Sequence, residues 1–214
     1  MPRSYAKRLL VEGAKDRRLI PYLMERNGVP WPKGNEPIDI QDLGQNLLTK
    51  SEASAFLKLP GLQCLGVILD ADVHADAVWQ RITSWFDQEF TAMPASIPSA
   101  GYVSDVNSAG IRLGAWIMPD NQSSGMLETF LTYLVRVEHR QLWEYARTAR
   151  DEAKGSHGAP FKDVHFDKAW MHTFLAWQDE PGRQLHEAVD HGILDPTSPH
   201  SQPFVTWFRK LYGL

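Results

Sequence analysis

Leu65-Gly66-Val67-Ile68-Leu69-Asp70-Ala71-Asp72 is the stretch on which the reading of this chain turns. Leu65 to Leu69 is a continuous apolar run, the pattern of a central parallel strand covered on both faces. It ends in acid. In an open α/β sheet the functional groups gather at the carboxyl ends of the strands, where loops leave the sheet. Residues two apart on an extended chain point to the same side, so Asp70 and Asp72 would face one ion while Ala71 turns away. Such a pair suits magnesium or manganese, which take oxygen ligands, keep several waters and are held by one or two carboxylates plus substrate phosphate. The structural alternative for Asp-x-Asp is a solvated turn with helix capping.

Working upstream, Leu9-Leu10-Val11 is a short strand closed by Glu12-Gly13, and Lys15 to Arg26 carries Leu19, Ile20, Leu23 and Met24 at helical spacing. Asn27-Gly28 is the helix stop. Ile38 and Ile40 alternate with polar residues as in a half-exposed strand, and Thr49-Lys50-Ser51-Glu52 has the capping-box spacing that opens another helix. Downstream, a helix is expected from Ala75 to Phe90 with Val78, Ile82, Trp85 and Phe86 inward. Met93 to Ala109 is rich in Pro, Ser and Gly and reads as loop.

A strand from Ile111 to Met118 then ends at Pro119-Asp120-Asn121. After the Ser123-Ser124-Gly125 turn, Met126, Leu127, Phe130, Leu131, Leu134 and Val135 mark one long helix. A polar loop, Gly155 to Pro160, precedes helical segments over His165 to Trp177, Arg183 to His191 and Phe204 to Leu211. The alternation predicts an α/β fold with a mostly parallel sheet and helices on both faces over residues 1–154. Residues 155–214 form a helical C-terminal extension on the same core, with Trp170, Phe174 and Trp177 expected to dock it on the sheet.

The chain has 214 residues, 43% of them hydrophobic, and 8 tryptophans, which is ample for one buried core and unlike a disordered chain. No stretch reaches the roughly 20 apolar residues of a membrane span, and Met1 to Leu10 lacks an apolar signal core. A cytoplasmic protein with no membrane partner is expected. Cys64 is the only cysteine, which excludes an internal disulfide and a thiolate zinc cluster within one chain. The net charge of -4 argues against a protein that coats DNA electrostatically. It leaves a nuclease open, because carboxylates reserved for metal keep a catalytic domain acidic until its ions bind.

Acids close the other strands as well: Glu12 at the first and Asp120 at the last. Glu12 stands beside Gly13, which permits close approach of substrate or backbone. It can bind a second ion or serve as general acid or base, against the alternative of a contact with a helix amino terminus. On spacing alone, Asp16 reads as a surface acid complementing a helix dipole and Glu128 as a capping-box residue three positions after Gly125. The 8 histidines are scattered. His186 and His191 lack the His-Glu-x-x-His pattern of zinc hydrolases, and His165 and His172 are expected to pack or face solvent. Ser123 and Ser124 have no nucleophile-elbow sequence around them.

Leu10-Val11-Glu12-Gly13-Ala14-Lys15-Asp16 followed by Val67-Ile68-Leu69-Asp70-Ala71-Asp72 resembles the paired signature of the Toprim domain, a Rossmann-like unit shared by topoisomerases, DnaG-type primases, OLD nucleases and some RNA maturases. Trp116-Ile117-Met118-Pro119-Asp120-Asn121, Ser124-Gly125-Met126-Leu127-Glu128, Asp179-Glu180-Pro181-Gly182 and Phe204-Val205-Thr206-Trp207-Phe208 extend it. With them the chain is similar over most of its length to small standalone prokaryotic Toprim proteins related to the OLD nucleases. The resemblance implies metal-site roles for Glu12, Asp16, Asp70 and Asp72, adds Glu128 to the site, and makes Lys168 the candidate for the lysine that OLD nucleases bring from their carboxyl-terminal segment.

What the resemblance implies is a magnesium- or manganese-dependent nuclease, or a related phosphodiester-transfer enzyme, acting on DNA or RNA. In that role Asp70 and Asp72 hold one ion, Glu12 with Asp16 holds or shares another, and Glu128 completes the cage. A Gly-x-x-x-x-Gly-Lys-Ser/Thr sequence is absent, so nucleotide-driven regulation would need a separate ATPase chain. Covalent topoisomerase chemistry needs a tyrosine from a further domain, and primer synthesis needs basic template-binding surface. The alternative from another class is a non-catalytic metal- or nucleotide-binding subunit of an ATPase partner. Self-association through the aromatic carboxyl-terminal segment is left open.

Overall fold

The structure, a computed structural model of the chain, describes residues 6–44 and 48–214. In chain order its elements are β1 (Lys7–Val11), α1 (Ala14–Arg26), β2 (Asp39–Asp42), α2 (Lys50–Leu57), β3 (Cys64–Asp70), α3 (Ala75–Phe86), β4 (Tyr102–Val103), β5 (Arg112–Met118), α4 (Leu127–Thr132), α5 (Arg140–Ser156), α6 (Phe166–Ala176), α7 (Leu185–Asp190) and α8 (Gln202–Tyr212). The strands form one sheet in the order β2-β1-β3-β5-β4. All pairs are parallel except β4 with β5. The fold is therefore α/β with a mostly parallel sheet and helices on both faces. No helix among the described residues is long and apolar enough to cross a membrane.

β3 lies between β1 and β5, and its apolar run splits by alternation. Leu65, Val67 and Leu69 join Leu10, Leu113, Ala115 and Ile117 against α2 and α3. Cys64 and Ile68 join Leu9, Val11, Trp116 and Met118 on the opposite face, under α1, α8 and the helices α4 to α7. α2 begins as its sequence dictates: Thr49 Oγ1 accepts from the Glu52 amide, and the Glu52 carboxylate accepts from the Thr49 amide at 2.7 Å.

On that second face Gly66 and Gly114 are direct partners across the β3–β5 pair. A methyl group at Gly66 would meet the Tyr212 hydroxyl at 2.3 Å, and one at Gly114 would meet Leu211 Cδ2 at 2.5 Å. The glycine pair thus forms a flat floor into which α8 settles. Around it Phe204, Trp207, Phe208, Leu211 and Tyr212 are all buried. The Trp207 indole donates to the Tyr102 carbonyl at 2.9 Å, and the Tyr212 hydroxyl donates to the Arg8 carbonyl at 2.8 Å.

Several expectations need correction. Of the three aromatic residues expected to dock this segment, only Phe174 is fully buried in the core on this face of the sheet; Trp170 stacks on Trp143 of α5 with ring centroids 3.9 Å apart, and Trp177, just past α6, is 41% exposed beside Tyr145. α8 takes the sheet instead. The long helix expected over Met126 to Val135 stops at Thr132 as α4, because Val135 leaves the helical path to pair with Leu194, and Leu134 offers its carbonyl to the Asp195 amide at 2.7 Å; α5 is a separate helix. The Pro-, Ser- and Gly-rich segment contains β4, a strand of two residues and so too short to show alternation.

Candidate metal centre

β1, β3 and β5 deliver the expected acids to one end of the sheet. Gly13 caps α1 in extended conformation, and Asp16, three residues on, accepts from the Gly13 amide at 3.1 Å. This contact turns the Asp16 carboxyl back toward the strand end. Asp16 is buried rather than a surface acid. Glu12, half-buried, reaches across from β1 and accepts from the Asp70 amide at 3.1 Å.

The loop after β5 organises itself. Asp120 accepts from the amides of Gln122 and Ser123 at 3.0 and 2.7 Å and from the Ser123 hydroxyl at 2.9 Å, so it shapes its turn. The turn returns Gly125 to an antiparallel bridge with Asp72. Gly125 has φ 133°, and a side chain there would strike Thr129 Oγ1 at 2.5 Å. That hydroxyl accepts from the Met126 amide at 3.0 Å, while Asp70 Oδ1 accepts from the Leu127 amide at 2.9 Å. The helix begins after Met126, not Gly125, so Glu128 is its second residue and Thr129 takes the capping position. Glu128 is thereby released from capping, and its side chain is 3% exposed.

Asp72 is placed differently from the expectation. The chain is extended only to Asp70; Asp72 has φ 51°, a left-handed turn conformation, and is exposed. Alternation along a strand therefore does not orient it, although its charge is still felt at Asp70.

Two cationic side chains and an imidazole meet the acids. Lys168, from α6, has Nζ 3.8 Å from Glu128 Oε1. Lys15 Nζ lies 3.0 Å from the same oxygen and 2.9 Å from His172 Nε2, and His172 Nε2 is 3.9 Å from Glu128 Oε1. Lys15 and His172 were not singled out as site residues from sequence. The usable signal was spacing: Lys15 sits inside the first acidic motif, and His172 follows Lys168 by four residues, which places both on one helix face.

The acids outnumber these cations. Burial, with the neighbouring charges of Asp16, Glu12, Glu128 and Asp72, pushes the Asp70 carboxyl up to about 9. Burial likewise raises Asp16 to about 7, reinforced by Glu12 and Glu128 and opposed by backbone hydrogen bonds. His172 is held below the ordinary imidazole value by burial and by Lys15 and Lys168, with Glu128 opposing. Among the described residues no three His, Cys, Asp or Glu side chains close into a ready-made metal cage.

The sequence pattern of one family, DUF3226, matches residues 6–213. The chain belongs to the DUF3226 family. That family is described as protein of unknown function, and no curated protein and no solved structure matches the chain. In this DUF3226 member the donor chemistry itself is informative. Glu12, Asp16, Asp70 and Glu128 offer only hard oxygen donors, the kind that a hard divalent cation takes.

Proposed function

We infer that this protein is a divalent-metal-dependent phosphodiesterase acting on DNA or RNA, with a Toprim-type arrangement of its acids. The observation that carries the reading is the convergence of Glu12, Asp16, Asp70 and Glu128 at the carboxyl ends of the parallel strands, with Asp70 and Asp16 raised by burial and by the acids around them. The two motifs that resemble the Toprim signature supply these residues from β1 and β3, and the loop after β5 supplies the last. Glu12, Asp16, Asp70 and Glu128 would hold magnesium or manganese, with Asp72 at the rim. Bound there, the ion would supply Lewis-acid polarisation of a phosphoryl oxygen and an acidified water.

The chain's own groups account for the rest. Lys168 stands where a fixed positive charge opposes negative charge developing on a phosphate. Lys15 pairs with Glu128 and holds its carboxylate at the site. Gly13 leaves the strand-end turn open to a substrate backbone, and the Asp70 contact to the Leu127 amide fixes the direction of that carboxylate.

Titration calorimetry with manganese, coupled to a cleavage panel of single- and double-stranded DNA and RNA, tests the reading. Metal binding and cleavage are expected in the native protein, and both should be lost in Asp70→Asn with the fold intact. Cleavage at native rate in that variant would sink the proposal. Metal or nucleotide binding with no cleavage of any substrate would favour the regulatory-subunit alternative and a separate ATPase partner.

A further inference from the structure

Beyond the far end of α4 from Glu128 lies a cleft of about 430 Å³, lined by Tyr133, Arg136, Arg140, Ser198 and His200 among others. Arg136 and Arg140 flank it, four residues apart across the short 3-10 turn Val137–His139. Among the described residues neither arginine side chain meets an acid within ion-pairing distance or finds a hydrogen-bond acceptor. The acid that does line the cleft, Glu144, pairs instead with Arg147 at 3.0 Å.

Arg136 is half-buried, and its Nε is buried with no partner at all. Burying a guanidinium donor without an acceptor is costly, and in a chain of net charge -4 two unanswered arginines facing one polar cleft stand out from the surface around them. A planar guanidinium binds carboxylate or phosphate oxygens in a fork. Tyr133, whose ring is 6.1 Å from that of His200, and Ser198, whose hydroxyl accepts from the His200 amide at 3.3 Å, complete the polar lining.

The cleft also has a position relative to the acids. Tyr133 is the residue at which α4 ends, and Glu128 is near its start. At 1.5 Å per residue these positions are roughly 7.5 Å apart along the axis. The turn that Asp120 organises lies near Tyr133, whose hydroxyl is held above its ordinary value by burial first and then by the charges of Asp120 and Asp167. The cleft and Glu128 are thus joined by one short helix, with Tyr133 of the cleft lining at its far end.

We propose that this cleft is a phosphate subsite for a nucleic-acid strand, in which Arg136 and Arg140 clamp a backbone phosphate beside the one presented to the carboxylates. It rests on the phosphodiesterase reading for its substrate, and it assigns substrate positioning to residues outside the acidic motifs.

The test is fluorescence anisotropy of a short labelled single-stranded DNA oligonucleotide in EDTA, where the metal centre takes no part. The native chain should bind. Arg140→Ala, at an exposed position, should weaken binding about ten-fold or more and lower the salt slope by about one; Arg140→Lys should lose less. Arg136→Gln should act in the same direction, with thermal melts confirming the fold.

No binding by the native chain, or native affinity and salt slope in Arg136→Gln/Arg140→Ala, would overturn the subsite. So would calorimetric binding of inorganic phosphate that depends on the arginines while oligonucleotide binding does not, since the cleft would then serve a free anion. If no substrate is ever cleaved but arginine-dependent binding persists, the activity fails and the subsite stands. If the arginine variants bind and cleave as the native chain does, the subsite fails and the activity stands.

Discussion

The two faces of the sheet are covered in opposite ways. One is roofed by α2 and α3, which directly precede and follow β3 in the chain and whose buried residues, among them Ala53, Leu57, Val78, Trp79, Ile82, Trp85 and Phe86, are all apolar. The other is roofed by α1 and by α8 from the far end of the chain, with α4 to α7 stacked beyond. Asp16, Glu128, Lys168 and His172 all come from helices of this second side. Asp70 continues the Gly66–Ile68 row of β3, which faces it too. Local packing makes one face stable; the meeting of distant segments on the other makes a site.

The sharpest way to break this asymmetry is at the glycine floor. Gly114→Val forces Leu211 off the sheet, and overpacking with loss of the α8 contacts should cost about 4 kcal/mol or more, seen as loss of the cooperative melt or a large fall in its midpoint. Manganese binding should vanish with it. On the opposite face Ile82→Ala should cost about 2–5 kcal/mol in denaturant titration, yet leave manganese affinity near native in the protein that remains folded. Equal loss of metal binding in the two variants would erase the distinction.

A third experiment reads the charge stored on the second side. A raised carboxyl stabilises the fold fully only below its unfolded value of about 4, and the contribution is lost as pH rises through the folded value. For Asp70 that window runs from about 4 to about 9, and for Asp16 from about 4 to about 7. The metal-free protein should therefore lose stability from pH 5 to pH 8. Asp70→Asn should flatten that slope and melt about 1–2 kcal/mol more stably than the native chain at pH 8. Manganese should bind the native chain more tightly as pH rises, since the ligands must shed protons. A metal-free Asp70→Asn melt below native at pH 8 would contradict this.

The smallest effect belongs to the local face: Thr49→Ala removes the cap of α2 and should cost about 1 kcal/mol, with metal binding untouched.

The same asymmetry decides what could be read in advance. The local face and the three long strands are written in contiguous patterns: the β3 apolar run, the Thr49–Glu52 capping box and the inward stripe of α3. The acids at the ends of β1 and β3 follow from where those strands stop. Asp72 did not follow, because its left-handed turn depends on the bridge to Gly125, a partner supplied by the loop after β5. The end of α4 at Thr132 depends on Leu194 in the same way. Lys15 and His172 meet Glu128 only because α1, α4 and α6 converge, and side chains from three separate segments leave no periodic trace in any of them. Gly66 sits inside an apolar strand with no mark of its role until Tyr212 is seen against it.

That glycine floor also sets an order of events in the making of the protein. Residues 202–212 leave the ribosome after every strand they cover, so Trp116 has no Phe204 or Trp207 to lie against while the earlier elements form. An exposed apolar sheet face on a nascent chain invites association with its neighbours. Docking of α8 is therefore what covers this face of the sheet with Phe204, Trp207, Phe208 and Leu211.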